Sequence, residues 1–150
     1  MVAFTYNEEA GESGTSAAAF IDPTTNQALA TIGLPADVSV PVVLDDTVFF
    51  PAQKGYRNVV VDRTTWTVTA TPDYGREIGG AGGAGFDGRS LYLIADGVDV
   101  LVIDATTYEL TDTIEPFTFV DKINALAVGP GALWVATDSA GILQRFDIGS

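Results

Sequence analysis

One aspartate-centred segment recurs four times along the chain, at intervals of 40, 42 and 43 residues. In each copy a mostly apolar run ends in an aspartate, and these aspartates are Asp22, Asp62, Asp104 and Asp147. The first three are followed, one residue later, by Thr-Thr. An Asp carboxylate at the end of a strand accepts hydrogen bonds from backbone N–H groups two residues on, which fixes a turn. We therefore predict that these aspartates are structural turn residues of one repeated unit.

Strand-like segments flank each predicted turn. After the turn, Thr and aromatic residues alternate with others, as in 66–71 and 108–114, and this period of two is typical of half-exposed strands. Apolar segments also precede each aspartate; these are 38–44, 48–50, 81–86, 91–94, 123–128 and 133–136. No window has a sustained period of 3.6 residues. We therefore predict almost no helix.

Each unit thus holds up to four short antiparallel strands in about 42 residues, which is the length of a propeller blade. We predict an all-β fold, a β-propeller-like array of four-stranded antiparallel blades in an incomplete or small ring. One domain, 1–150, is expected to contain units at roughly 2–36, 37–78, 79–120 and 121–150. The first unit lacks an inner strand and the last lacks an outer strand, so the predicted total is 14 strands.

Two segments carry a resemblance to a known family. Residues 91–114, which read LYLIADGVDVLVIDATTYELTDTI, are similar to a YVTN-type β-propeller repeat, and residues 133–147 are similar to the same strand–hairpin–strand core. The resemblance implies the propeller fold. It implies no particular activity, because the family includes surface-layer, binding and enzymatic members, and no catalytic motif matches. We therefore transfer no functional residue.

The number of units leaves ring closure open, because propellers usually have at least four complete blades. The chain could form a small four-blade ring with a discontinuous seam. It could be an arc that closes with other copies; two copies would have 28 strands, numerically seven blades. It could also be an open stack whose edges a partner covers. Since bare edges and faces favour association, we expect a protein partner or a homo-oligomer.

The charge of the chain excludes several partners. Seven Lys and Arg residues stand against 20 Asp and Glu, for a formal net charge of −13. Such a surface repels nucleic acid and anionic membranes. The absence of His and Cys excludes disulfides, zinc-finger sites and His- or Cys-based catalysis. Carboxylate-rich, lysine-poor surfaces resemble those of proteins from halophilic archaea and their viruses, with an ordinary acidic bacterial protein as the alternative.

The sequence contains neither a signal peptide nor an apolar stretch long enough to insert into a membrane. We expect a cytoplasmic or virion location, or a chain that is part of a longer one. The candidate binding residues are Trp66 and Tyr108, which the repeat places on outer strands where exposure is expected. Trp134 and Tyr92 are expected to pack between blades instead.

Metal, nucleotide and catalytic sites are weakly supported. Asp45-Asp46 and the pair Asp96 and Asp99 could each hold a hard cation weakly, but solvated turn carboxylates are the favoured interpretation. The glycines of 80–85 match G-x-G-x-x-G, but a turn rather than a helix follows, so we expect a crowded inner strand instead of a nucleotide site. We predict no cofactor, no metal and no catalytic residue.

From these features we expect a non-catalytic structural or binding module within a larger or homo-oligomeric assembly. A tail, fibre or capsid-surface component of a virion from a high-salt environment fits the acidic surface. Two alternatives remain open. One is a carboxylate-based, calcium-dependent propeller enzyme or ligand binder, and the other is a fragment of a longer surface propeller protein.

Overall fold

The computed structural model of the chain describes residues 2–5, 16–34, 38–52, 57–78, 83–116, 122–137 and 141–149, with the backbone alone at 2–5 and 16. The regular elements of this part are all strands, fourteen in number. It contains no helix long and apolar enough to cross a bilayer. The prediction of an all-β chain is therefore confirmed.

The strands form four antiparallel sheets that follow one another along the chain, with three, four, four and three strands. The first sheet consists of β1 (Val2–Thr5), β2 (Ser16–Asp22) and β3 (Gln27–Leu34). The second consists of β4 (Val42–Val43), β5 (Thr47–Phe50), β6 (Val59–Asp62) and β7 (Val68–Ala70). The third consists of β8 (Ala84–Phe86), β9 (Ser90–Ala95), β10 (Asp99–Asp104) and β11 (Leu110–Ile114). The fourth consists of β12 (Ile123–Gly129), β13 (Ala132–Thr137) and β14 (Leu143–Asp147).

Within each sheet every strand pairs with its neighbour in sequence, which is the meander of a propeller blade. Among the described residues, the first sheet has three strands without an inner one and the fourth has three without an outer one, as predicted. Strand β4 is shorter than the predicted 38–44. Pro41 has no N–H to donate to a ladder, and before it only an isolated bridge joins Val38 to Ala52.

The core lies between the sheets, because successive residues of a strand point to opposite faces. On β5, Val48 and Phe50 pack in the cluster between the first and second sheets, whereas Phe49 packs between the second and third. On β9, Leu93 faces the second sheet and Tyr92 faces the fourth. Both faces of the two middle sheets are therefore buried, and each sheet stacks on the next.

The inner strands of the third and fourth sheets approach each other closely at Gly85. A Cβ placed there would lie 2.5 Å from Val128 Cγ2 and 3.1 Å from Leu126 Cδ1. Glycine is therefore required at this point of β8, as the expectation of a crowded inner strand implies. Gly80 and Gly82, the earlier glycines of the G-x-G-x-x-G match, lie outside the described residues.

Candidate functional site

The Asp-x-Thr-Thr segments form three turns in which the aspartate carboxylate accepts hydrogen bonds from the residues two and three positions on. In the second sheet, Asp62 Oδ1 accepts the backbone N–H groups of Thr64 and Thr65, both at 2.7 Å. In the third sheet, Asp104 Oδ1 accepts those of Thr106 and Thr107, both at 2.8 Å. In the first sheet, Asp22 accepts the N–H of Thr24 at 2.8 Å and the hydroxyl of Thr25 at 2.9 Å.

These hydrogen bonds favour the ionised form of the carboxylates. Donation from backbone N–H groups lowers the pKa of Asp22, Asp62 and Asp104 below the ordinary Asp value, because the bonds stabilise the charged group. The fourth aspartate differs: the Asp147 carboxylate lies 2.5 Å from Arg145 Nη1. The first three carboxylates therefore hold turns, while Asp147 forms an exposed ion pair on β14.

The residue that closes each turn has a left-handed backbone. The N–H groups of Asn26, Trp66 and Tyr108 donate to the carbonyls of Asp22, Asp62 and Asp104 at 2.8, 3.0 and 2.8 Å, and their φ angles are 56°, 55° and 60°. Side-chain-bearing residues rarely adopt this conformation. In the second and third turns the N–H of the aspartate donates to the residue after the closing one, Thr67 or Glu109, at 3.0 Å. Two residues thus face one aspartate, and the closing residue is the extra residue of a bulge before the outer strand.

This bulge corrects the predicted placement of Trp66 and Tyr108. Both lie in the turn rather than on an outer strand, and both are half-buried. The Trp66 ring lies 4.4 Å from that of Phe20 in the first sheet. The Tyr108 ring stacks 6.3 Å from Phe49 in the second sheet, and its hydroxyl lies 2.9 Å from Thr47 Oγ1. Each ring thus packs on the preceding sheet, and its binding role stays a prediction.

Tyr92 and Trp134, which occupy equivalent strand positions, differ in exposure. Tyr92 is 3% exposed and donates its hydroxyl to Asp87 Oδ2 at 2.9 Å. Burial and the neighbouring Asp87 carboxylate raise the pKa of Tyr92 to about 12. Trp134 is 39% exposed, and the Arg145 guanidinium lies 5.8 Å from the centre of its ring. Packing between blades is therefore correct for Tyr92, whereas Trp134 faces the outside.

Trp134 belongs to the open face of the fourth sheet, the name used here for the side of that sheet turned away from the third. Leu133 and Val135 point to the third sheet, so Trp134 points away from it. The strand register adds the neighbours of Trp134 on the same side, and the open face comprises Ala125, Ala127, Trp134, Ala136, Leu143, Arg145 and Asp147. Leu143 is 63% exposed. This mainly apolar face is the most prominent candidate binding surface in the described part of the chain.

At one of the two predicted cation positions an arginine binds the carboxylates of Asp96 and Asp99, whereas at Asp45-Asp46 an arginine binds backbone carbonyls. Arg76 donates to Asp96 Oδ2 and to Asp99 Oδ2, both at 2.5 Å. Arg63 donates to the backbone carbonyls of Leu44 and Asp45 at 3.1 and 2.7 Å. Among the described residues, no three acidic side chains are grouped in a way that could hold a metal ion.

A cavity of about 820 Å³ opens where the β8–β9 and β12–β13 turns meet. Phe86, Val128 and Ile148 form its apolar part, and Asp87 and Arg89 supply charged groups. Its walls come from residues far apart in sequence. Sequence reasoning missed it, because only the stacking of the third and fourth sheets brings these turns together.

No protein-family model and no curated protein sequence matches this chain. Solved structures do match. The computationally designed Ika4 protein superimposes with a TM-score of 0.67 at 19% identity, covering 91% of this chain and 81% of that one. BamB from Moraxella catarrhalis superimposes with a TM-score of 0.69 at 18% identity, covering 98% of this chain but only 43% of BamB.

The dihydro-heme d1 dehydrogenase NirN in complex with DHE gives a TM-score of 0.64 at 16% identity, and the chain covers 34% of it. At such identities these likenesses concern the fold alone. This chain has a β-propeller-like fold. It spans less than half the length of BamB and of NirN. The YVTN assignment remains a resemblance.

Proposed function

We propose that the chain is a non-catalytic structural or binding module of a larger assembly, and that this assembly contains several copies of the chain. The open face of the fourth sheet carries this proposal. A face with Trp134 at 39% and Leu143 at 63% exposure exposes apolar area to water, and large exposed apolar patches mark interaction sites. The same face of each preceding sheet is covered by the next sheet.

The surface charge supports a finer proposal, that the assembly is a virion tail, fibre or capsid-surface part in a high-salt environment. With a net charge of −13 per copy, association in dilute buffer works against repulsion. Salt at about 1 M shortens the screening length to about 3 Å. Assembly is therefore expected to strengthen with salt.

Light scattering of the purified chain at about 0.1, 1 and 3 M NaCl tests the proposal. At the two lower concentrations the screening lengths are about 10 and 3 Å. We expect a mass of two or more copies, with the associated fraction rising with salt. A mass of one copy at all three concentrations would overturn the proposal. Circular dichroism at each concentration verifies that the chain is folded.

A carboxylate-based or calcium-dependent ligand binder is the second candidate, with the cavity as its site. The Asp87 carboxylate at the cavity accepts hydrogen bonds from the N–H groups of Arg89 and Ser90 and from the Tyr92 hydroxyl, so a bound cation would have to displace these donors. The test is thermal unfolding with millimolar CaCl2 against EDTA. A rise in melting temperature that Asp87→Asn abolishes supports calcium binding at the cavity. Equal melting temperatures in calcium and in EDTA exclude it.

A further inference from the structure

We propose that the open face of the fourth sheet binds the first sheet of a second copy, so that two copies close one ring of eight sheets. The inference rests on the proposed function and names the partner and the contact. In such a ring the fourth sheet of each copy packs against the first sheet of the other copy. Each of the two contacts joins unlike faces, and the twofold axis exchanges them, so the complete interface of the dimer is isologous.

The position of Trp134 in its sheet is the first argument. The residue paired with the repeat aspartate is Thr47 in the second sheet, Ser90 in the third and Ala132 in the fourth. Two residues further on, the same place is taken by Phe49, Tyr92 and Trp134. Phe49 and Tyr92 are 0% and 3% exposed because the next sheet covers them. Trp134 has the same orientation and lacks that cover.

The first sheet offers the complementary face. Val59 and Leu101 lie three residues before their repeat aspartates and pack against the preceding sheet. Ala19 lies at the same place before Asp22, and the strand register puts Thr31 beside it. Ala17, Ala19, Thr31 and Gly33 form the first-sheet face. These small residues leave room for a large ring such as that of Trp134.

Two positions that are apolar at the contact between the first and second sheets are polar at the proposed contact. At the interface of the first and second sheets, the turn-closing Trp66 packs on Phe20, which lies two residues before Asp22. At the proposed contact the turn-closing residue is Asn26, which has the same left-handed backbone. The residue two before Asp147 is Arg145, on the open face. The apolar pair Trp66 and Phe20 thus corresponds to the polar pair Asn26 and Arg145 at the proposed contact. The amide oxygen of Asn26 can accept a hydrogen bond from the guanidinium of Arg145.

Closure onto the chain's own first sheet is disfavoured by the packing of the arc. Each of the three core clusters joins adjacent sheets, and none, among the described residues, joins the first sheet to the fourth. The arrangement of the four sheets also matches part of a longer chain, 98% of this chain lying on 43% of BamB. The BamB chain thus continues beyond the part that these four sheets match, which favours an arc that further sheets complete.

Introduced thiols test the contact directly, because the chain has no cysteine. Ala19→Cys lies on the first-sheet face and Ala127→Cys on the open face, where Ala127 pairs with Trp134. Stacked sheets lie about 10 Å apart and paired strands about 5 Å. The two positions are also offset by about two strands, so a bis-maleimide with a spacer of about 15 Å is used. We expect a mixture of the two variants at about 1 M NaCl, where repulsion is screened, to give a cross-linked dimer. Each variant alone should stay uncross-linked.

The double variant Ala19→Cys/Ala127→Cys separates the remaining geometries. A ring of two copies gives a covalent dimer that does not grow. A ladder of larger products indicates an open fibre, and an intrachain link indicates four-sheet closure; either would overturn the ring. Strong cross-linking of Ala127→Cys with itself would also overturn the first-sheet contact, while a mass of two copies would leave the proposed function intact.

Trp134→Glu supplies a second measurement, with Leu110→Glu as the matched control. Both side chains are partly exposed, Leu110 at 47%, but Leu110 lies on β11, outside the proposed contact. We expect Trp134→Glu to weaken dimerisation by about 30-fold, the scale of an interface tryptophan, and Leu110→Glu to leave it unchanged. Unchanged association of a folded Trp134→Glu variant would contradict the proposal.

Discussion

The second and fourth sheets carry aromatic side chains at the same place, yet only one of the two is buried. Phe49 is 0% exposed, whereas Trp134 is 39% exposed. Both side chains point along the stack toward the next sheet, and the second sheet has such a neighbour. The difference shows that the repeat sets the direction of a side chain, while burial depends on the sheet that follows.

The largest expected effect separates these two residues. Phe49→Ala removes a fully buried ring, and large-to-small substitutions of this kind cost about 3–5 kcal/mol of unfolding free energy. Trp134→Ala at low salt, where the chain is expected to be a single copy, should cost less than about 1.5 kcal/mol because little buried area is lost. Urea unfolding followed by circular dichroism measures both values.

If Trp134→Ala lowered the unfolding free energy as much as Phe49→Ala, the comparison would be contradicted. Such a result would mean that the open face is already covered within one copy. Repeating the Trp134→Ala measurement at high salt sharpens the comparison. At high salt the loss of unfolding free energy should grow, because dimerisation adds to the apparent stability of the parent chain.

A smaller effect is expected at Gly85, where the inner strands of the third and fourth sheets meet. Gly85→Ala places a methyl group 2.5 Å from Val128 Cγ2, and overpacking of this kind costs about 1–3 kcal/mol. At low salt, where the first-sheet face that contains Gly33 is expected to be free of a second copy, Gly33→Ala is the matched control, because a Cβ on this β3 residue meets nothing within 4 Å. Surface changes of that sort stay within about 0.5 kcal/mol.

The double variant Gly85→Ala/Val128→Ala shows whether the clash is the cause. If it is, the second substitution restores part of the stability that the first removed, as expected for residues in contact. Simple addition of two losses would place the effect of Gly85→Ala elsewhere. Thermal unfolding of the parent chain, the two single variants and the double variant distinguishes these outcomes.

The sequence predicted most of the fold, because the turn chemistry is local. Asp62 and Asp104 bind N–H groups two and three residues on, so strand ends could be found without knowing any long-range contact. The same reasoning misplaced Trp66, since Trp66 and Thr67 both face Asp62 and this bulge keeps Trp66 out of the outer strand. The exposure of Trp134 was also missed. Equivalent positions in a repeat have equal orientation, but the neighbour that buries them is a tertiary property.

The smallest expected effect concerns the repeat aspartates and compares Asp104 with Asp147. N–H donation by Thr107 and Thr106 lowers the pKa of Asp104 in the folded chain, and the unfolded value is about 3.9. The stabilisation is therefore fully present above about pH 4 and is lost as the pH falls through the lower folded value. Asp104→Asn keeps a side-chain acceptor but removes the charge, so the melting temperature of this variant should change less than that of the parent on acidification. Asp147→Asn, which removes the same charge from a carboxylate that lies beside Arg145 and outside the Asp-x-Thr-Thr turns, is the control for net charge. Equal flattening in both variants would mean that net charge, rather than the turn hydrogen bonds, controls the response to acid.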